Sequence, residues 1–225
     1  MLRNGLLKEV IKDTLPVTAG YVILGMGFGI IMVANGWSPW YPIAMSLFIY
    51  AGSMQYAAIG LFTGGASFLT VALTTLAVNA RHLFYGISML GKYKHAGLRK
   101  PYLIFALTDE TYSLVCSNDK SMDYCFWVSL LDHSYWVLGT VLGAVLGSAI
   151  RFNPKGMDFA LTALFLTVFL NQWLANKDHF PALTGVLCSV VMLMVFGPSQ
   201  FLIPAMLGIA VILLLPRGGK AEDEQ

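Results

Sequence analysis

Apolar residues run along this chain in long blocks interrupted by Gly, Pro or charge. The blocks define eight segments: 17–34, 41–63, 66–90, 101–117, 126–150, 158–175, 180–196 and 199–215. Most approach the ~20 residues that a helix needs to cross a bilayer. Segments 4, 6, 7 and 8 are shorter, which suits tilted, half-spanning or re-entrant helices. Backbone groups in hydrocarbon must be bonded internally and the alternating ten-residue strands of a barrel are absent, so helices are expected throughout. The pattern predicts an all-α, polytopic integral membrane protein with six to eight crossings, in one transmembrane domain over 1–225.

Prolines punctuate the blocks. Pro16, Pro101 and Pro181 stand at or near segment starts, Pro39 and Pro154 fall in loops, and Pro204 is expected to kink the last segment. Ahead of Pro16, Leu6, Leu7, Val10 and Ile11 share a helical face opposite Lys8, Glu9 and Lys12, which predicts a short amphipathic helix over 1–16 lying among lipid headgroups. No small-residue cleavage site precedes the first apolar run, so no cleaved signal peptide is expected. Residues 216–225 read as a solvated tail.

Segments 1–3 can be laid on segments 4–6, with Pro16 over Pro101, YAGSMQY (50–56) over LDHSYWV (131–137) and Asn79 over Asp158. This suggests an internal three-segment repeat of the kind transporters carry. Charge gives a competing reading. With eight straight crossings and the N-terminus inside, Lys and Arg outside the segments divide 7 inside to 6 outside. If segments 2 and 5 were re-entrant, the division would be 10 to 3, which the positive-inside rule favours. The polar interruption YAGSMQ suits a helix break in segment 2.

Composition reinforces the membrane reading. The chain is 57% hydrophobic and 12% charged, where a soluble domain carries about 25% charged residues. A net charge of +2, without basic clusters interleaved with aromatics, gives no footprint for nucleic acid. Cys116, Cys125 and Cys188 are odd in number and lack CxxC spacing, and the four histidines are scattered. Neither a disulfide framework, a metal site nor a cofactor is expected.

The ionisable residues inside the segments are few: Arg81, His82, Asp109, Glu110, Asp132 and His133, with Asp158 at an edge. Each costs about 2.5–3.5 kcal/mol at a helix centre, so each should face a cavity or a partner. Arg81 lies roughly 14 Å of helix from the Leu90 end. It could snorkel to the Gly91–Lys94 interface or offer its planar fork to a carboxylate within the bundle. Val78, Arg81, His82 and Tyr85 share one helical side with Asn79 adjoining, while Leu83, Phe84 and Ile87 are left for lipid.

In ALTDETYS (106–113), Asp109, Tyr112 and Ser113 share a side and Glu110 turns about 100° away. The two carboxylates could accept protons or hold an ammonium, or pair structurally with Arg81 and its neighbours. In YAGSMQY, the small residues Ala51, Gly52 and Ser53 sit among Tyr50, Gln55 and Tyr56. They suit either close helix packing or a broken helix whose free N–H groups bind an anion. Asp132 and His133 precede Trp136 and the packing run GTVLGAVLG. His133 could relay protons or be satisfied by Asp109 or Glu110.

YAGSMQ (50–55), NARHLFYG (79–86), TDETY (108–112) and GMDFALTALF (156–165), in this order and spacing, resemble the AzlC family, the large subunits of bacterial branched-chain amino acid exporters. The likeness runs from TLPVTAGYVILGMGFG to segment 8. It implies a multi-pass protein of the bacterial inner membrane that exports neutral, branched amino acids such as valine, leucine and isoleucine. It also implies a small AzlD-type membrane partner and energy from an ion gradient; no Walker A pattern is present for ATP.

On the residue reading, Arg81, Asn79, Ser53, Gln55, Tyr50, Tyr85 and Tyr112 are the candidates for binding substrate. Asp109, Glu110, His82, Asp132 and His133 are the candidates for proton coupling. An intramembrane enzyme with an Asp/His acid-base pair and a passive small-solute channel are the alternatives. The first is weakened by the lack of a nucleophile elbow or HExxH motif.

Overall fold

A computed structural model describes residues 2–117, 120–149, 166, 169–170, 173–174, 177–197 and 201–214, and no strand occurs among them. Asp158, the GMDFALTALF run, Pro154, most of segment 6 and the 216–225 tail lie outside the described residues. Contacts group the chain into two compact units, 1–161 and 162–225.

The first unit contains α1 (Leu2–Ala34), α2 (Trp40–Phe48), α3 (Gly52–Thr63), α4 (Phe68–Met89), α5 (Lys100–Phe105), α6 (Asp109–Val115) and α7 (Met122–Ala149). Two 3-10 turns, Lys92–His95 and Gly97–Arg99, link α4 to α5. Helices α1 and α7 are the two described that are both long and apolar enough to cross a membrane. They pack side by side along a seam of small residues. A Cβ on Gly25 would come within 2.7 Å of the Trp136 carbonyl oxygen, and one on Gly139 within 2.5 Å of the Val22 carbonyl. Helix association in lipid lacks a hydrophobic drive and depends on such close backbone approach. The GTVLGAVLG run is therefore packing surface, and Gly29 and Gly143 extend it.

Three expectations change. The first sixteen residues are not a separate helix, because α1 runs straight through Pro16. Val10 and Thr14 are fully buried, and Val10 joins a core with Leu103, Val115, Tyr124 and Val128. Burial thus holds this part of α1 in register despite the backbone hydrogen bond that Pro16 cannot make. Segment 5 is not interrupted: α7 is one 28-residue helix with no break at LDHSYWV. Segment 4, by contrast, is broken after Phe105 and resumes at Asp109. Among the described residues the broken segments are therefore 2 and 4, and YAGSMQY has no broken counterpart at LDHSYWV.

Polar contacts at one end fix the pieces. Lys92 donates from Nζ to the carbonyls of Val115 (2.7 Å) and Ser117, capping the C-terminal end of α6. Lys120 reaches Glu9 at 2.9 Å, and the Tyr124 hydroxyl donates to Asp13 at 2.7 Å. At the opposite end of α4, Ser67 caps the helix by accepting from the Thr70 N–H.

The second unit contains α8 (Phe180–Phe196) and α9 (Leu202–Leu214), which pack on each other. Pro181 stands in the first turn of α8. Pro204 likewise falls in the first turn of α9, where no N–H is needed, so the expected kink is absent.

Candidate functional site

Segment 2 breaks over Ile49–Ala51. Tyr50 takes φ +46°, a left-handed conformation rare for a bulky residue. Its ring is buried against Tyr21 and His133, with centroid separations of 6.5 and 4.3 Å. Packing on both sides holds the strained turn. Ala51, the N-cap of α3, offers no side-chain acceptor, so the first-turn N–H groups keep their partial positive charge. In segment 4 the break over Ala106–Thr108 starts α6 at Asp109, with the Thr108 hydroxyl accepting from the Thr111 N–H at 3.3 Å.

Both new N-termini meet the guanidinium of Arg81. Its Nη1 lies 2.6 Å from Asp109 Oδ2, and its Nη2 donates to Ser53 Oγ at 3.0 Å. Arg81 therefore does not snorkel toward Gly91–Lys94; it ties α4 to the starts of α3 and α6. The side chains of Arg81 and Asp109 are 34% and 33% exposed in the isolated chain. Arg81 Nε and Asp109 Oδ1 are buried without hydrogen-bond partners among the described residues. A donor and an acceptor are left over beside an ion pair that solvent can reach.

Tyr85 and Tyr112 stack at 4.5 Å and 13°, and Ser88 donates to the Tyr112 hydroxyl at 3.1 Å. Tyr85 also lies near the Asp109 carboxylate. His82 borders the group, with its ring 5.9 Å from that of Tyr85, and Asn79 is half-buried one half-turn before Arg81. Leu83, Phe84 and Ile87 are exposed, as expected for the opposite side of α4. Arg81, Ser53, Asp109, Tyr85 and Tyr112 thus come together, with His82 at their edge.

Gln55 goes elsewhere. It is fully buried, donates from Nε2 to Ser46 Oγ at 3.0 Å and accepts from Trp136 Nε1 at 3.0 Å. Ser46 continues to Thr140 at 2.8 Å. His133 is satisfied by neither Asp109 nor Glu110. Its Nε2 faces the Ser46 carbonyl at 3.1 Å and must donate there, and its Nδ1 lies 3.2 Å from the Tyr102 hydroxyl.

Glu110 diverges from Asp109 as the helical angle requires. Tyr21 donates to its Oε2 at 2.7 Å, and the Tyr21 hydroxyl also lies 2.6 Å from Thr108 Oγ1. Asp132, fully buried, accepts at Oδ2 from Thr111 at 2.8 Å. Its Oδ1 and the Tyr50 hydroxyl have no hydrogen-bond partner among the described residues. Tyr21, Thr108 and Thr111 were missing from the sequence reading. Threonines near a helix start signal only a cap, and Tyr21 meets its partners across more than eighty residues of chain.

In the second unit, Trp173 stacks on His179 at 4.0 Å beside a cleft of about 730 Å³ also lined by Phe169, Ala182, Val186 and Ile209. None of the candidate residues lines it.

The family model described as AzlC protein matches residues 16–150, more than half of the chain. The chain is 46% identical over 209 residues to the branched-chain amino acid transport protein AzlC of Bacillus subtilis, covering 91% of this chain and 82% of that protein. It is 43% identical to an uncharacterized membrane protein of Haemophilus influenzae, with 92% and 88% covered. It is 29% identical to the inner membrane protein YgaZ of Escherichia coli, with 82% and 81% covered. No solved structure matches the chain.

Proposed function

The chain belongs to the AzlC family, and on that premise we propose that it is a secondary exporter of branched-chain amino acids such as valine, leucine and isoleucine. It is a membrane transport protein rather than an enzyme. The observation that carries the reading is the Arg81–Asp109 pair at two helix breaks, each partner retaining a polar atom that is unbonded among the described residues.

A zwitterion is the complement of such a pair. Its carboxylate takes the guanidinium fork, supported by Ser53 and the uncapped N-terminus of α3, while its ammonium takes Asp109. The incoming ligand replaces one ion pair by two, so neither protein charge is left unpaired in a low-dielectric site. The branched side chain lies against the stacked rings of Tyr85 and Tyr112, and Asn79 and His82 border the site. Proton coupling runs through the acidic side of the same break, Glu110 and Asp132, with His133 behind it. A small AzlD-type membrane subunit completes the transporter.

Counterflow of labelled valine in proteoliposomes tests this, with and without a pH gradient and with and without the small subunit. Saturable valine counterflow that an inward proton gradient accelerates is the expected result. Asp109→Asn should insert normally and lose counterflow; wild-type flux from that variant would remove the ammonium site.

A further inference from the structure

Between Glu110 and Asp132 an unbroken run of three hydroxyls, from α1 and from α6 with its cap, reaches the carboxyl on α7. Tyr21 of α1 lies 2.7 Å from Glu110 Oε2 and 2.6 Å from Thr108 Oγ1. Thr108 lies 3.1 Å from Thr111 Oγ1, and Thr111 lies 2.8 Å from Asp132 Oδ2. Glu110 is exposed at one end, and Asp132 is wholly buried at the other.

The protons in this run can be counted. Four oxygen–oxygen contacts need four protons, and three hydroxyls supply one each. With both carboxylates ionised, Tyr21 gives its proton to Glu110, Thr111 gives its proton to Asp132, and Thr108 can give its single proton to Tyr21 or to Thr111 but not to both. One of the two Thr108 contacts, at 2.6 or 3.1 Å, is then left as two lone pairs facing each other. One additional proton, on either carboxyl, gives every contact a donor.

We propose that Glu110 and Asp132 share a single proton through Tyr21, Thr108 and Thr111, and that this run carries it between the exposed and the buried carboxyl. Transfer is a relay. Glu110 gives its proton to Tyr21 as Tyr21 passes its own to Thr108, Thr108 to Thr111 and Thr111 to Asp132. Four O–H bonds break and four form, no centre is oxidised or reduced, and one negative charge moves from Asp132 to Glu110. The other groups facing the run are Tyr50, which senses both carboxylates, Tyr102 and His133 beside Asp132, Tyr85 near Glu110, and the Arg81–Asp109 pair adjoining Glu110. The role of this proton in transport rests on the proton-coupled reading above; its presence does not.

Infrared spectroscopy of the full chain in lipid nanodiscs reads it directly as the carbonyl band of a protonated carboxyl. At neutral pH the wild type should show one such band, lost in both Glu110→Gln and Asp132→Asn, whose amides supply the missing donor. Tyr21→Phe and Thr108→Val each remove one proton and two contacts, so the remaining hydroxyls suffice and the band should vanish. Thr108→Ser keeps the hydroxyl and should keep the band, which controls for folding. A wild type without the band, or a band that survives Tyr21→Phe, overturns the shared proton. If the band is present but valine counterflow ignores a pH gradient, the shared proton stands and the coupling reading fails. If the gradient drives transport without the band, the reverse holds.

Discussion

Two polar clusters flank the break in segment 2, and they begin two residues apart. Ser53 faces Arg81 and Asp109 on one side, while Gln55 faces Ser46, Trp136 and Thr140 on the other. Around Gln55 the chain of donors and acceptors closes within the protein, and all four residues are buried. Around Arg81 the pair is about one third exposed, with Nε and Oδ1 left over. A buried network in which every polar atom has a partner rigidifies the fold and offers little to a ligand. An ion pair with spare polar atoms has a reason to exchange partners. Completeness of hydrogen bonding therefore distinguishes the closed cluster around Gln55 from the open candidate site around Arg81 more sharply than residue type does.

The comparison breaks most visibly at Arg81. Arg81→Ala strands Asp109 and removes the carboxylate fork, and losing one partner of such a pair costs about 2–5 kcal/mol. Valine counterflow should fall by about 30-fold or more at about 1.4 kcal/mol per decade, with membrane insertion unchanged. Equal loss of insertion would make Arg81 scaffold.

On the other side, Trp136→Phe leaves the buried Gln55 Oε1 without its donor, which costs about 1–3 kcal/mol. The midpoint of thermal unfolding in detergent should drop, while counterflow per folded molecule holds. A selective transport defect in that variant would erase the distinction between the clusters.

Ser53→Ala removes one neutral acceptor from Arg81 but leaves Asp109 in place, so about 1 kcal/mol is at stake. A several-fold weaker apparent affinity for valine, read from the concentration dependence of counterflow, is expected. The smallest effect belongs to Asp123→Asn. Its pairing with Arg99 at 2.5 Å is largely exposed, and such pairs contribute at most about 1 kcal/mol. Neither counterflow nor the unfolding midpoint should move measurably, and a change in either would mean that the α5–α7 end is coupled to the site.

Much of this was legible before folding. The cost of charge in lipid singled out Arg81, Asp109 and Asp132, and the small and polar residues of YAGSMQ marked the first break. The second break was not legible, because Ala106, Leu107 and Thr108 contain neither Gly nor Pro and continue an apolar run. It is the Thr108 cap, the Lys92 contacts at the far end of α6 and the burial of Ala106 and Leu107 that hold it. The continuity of α1 through Pro16 was equally hidden, since Pro reads as a boundary until Val10 and Thr14 are seen to be buried.

Sequence alone determined the solvent, the helical class, the family likeness and the short roster of charges that lipid would not tolerate without partners. Those follow from composition and local spacing, which the chain carries in any conformation. Which partners the charges take was decided by tertiary structure. Arg81 could have met the interface or a carboxylate, and Gln55 could have met substrate or Trp136; each outcome depends on packing across tens of residues. The hydroxyl run from Glu110 to Asp132 belongs wholly to that second category. Its proton count depends on four contacts between oxygens that no local pattern brings together.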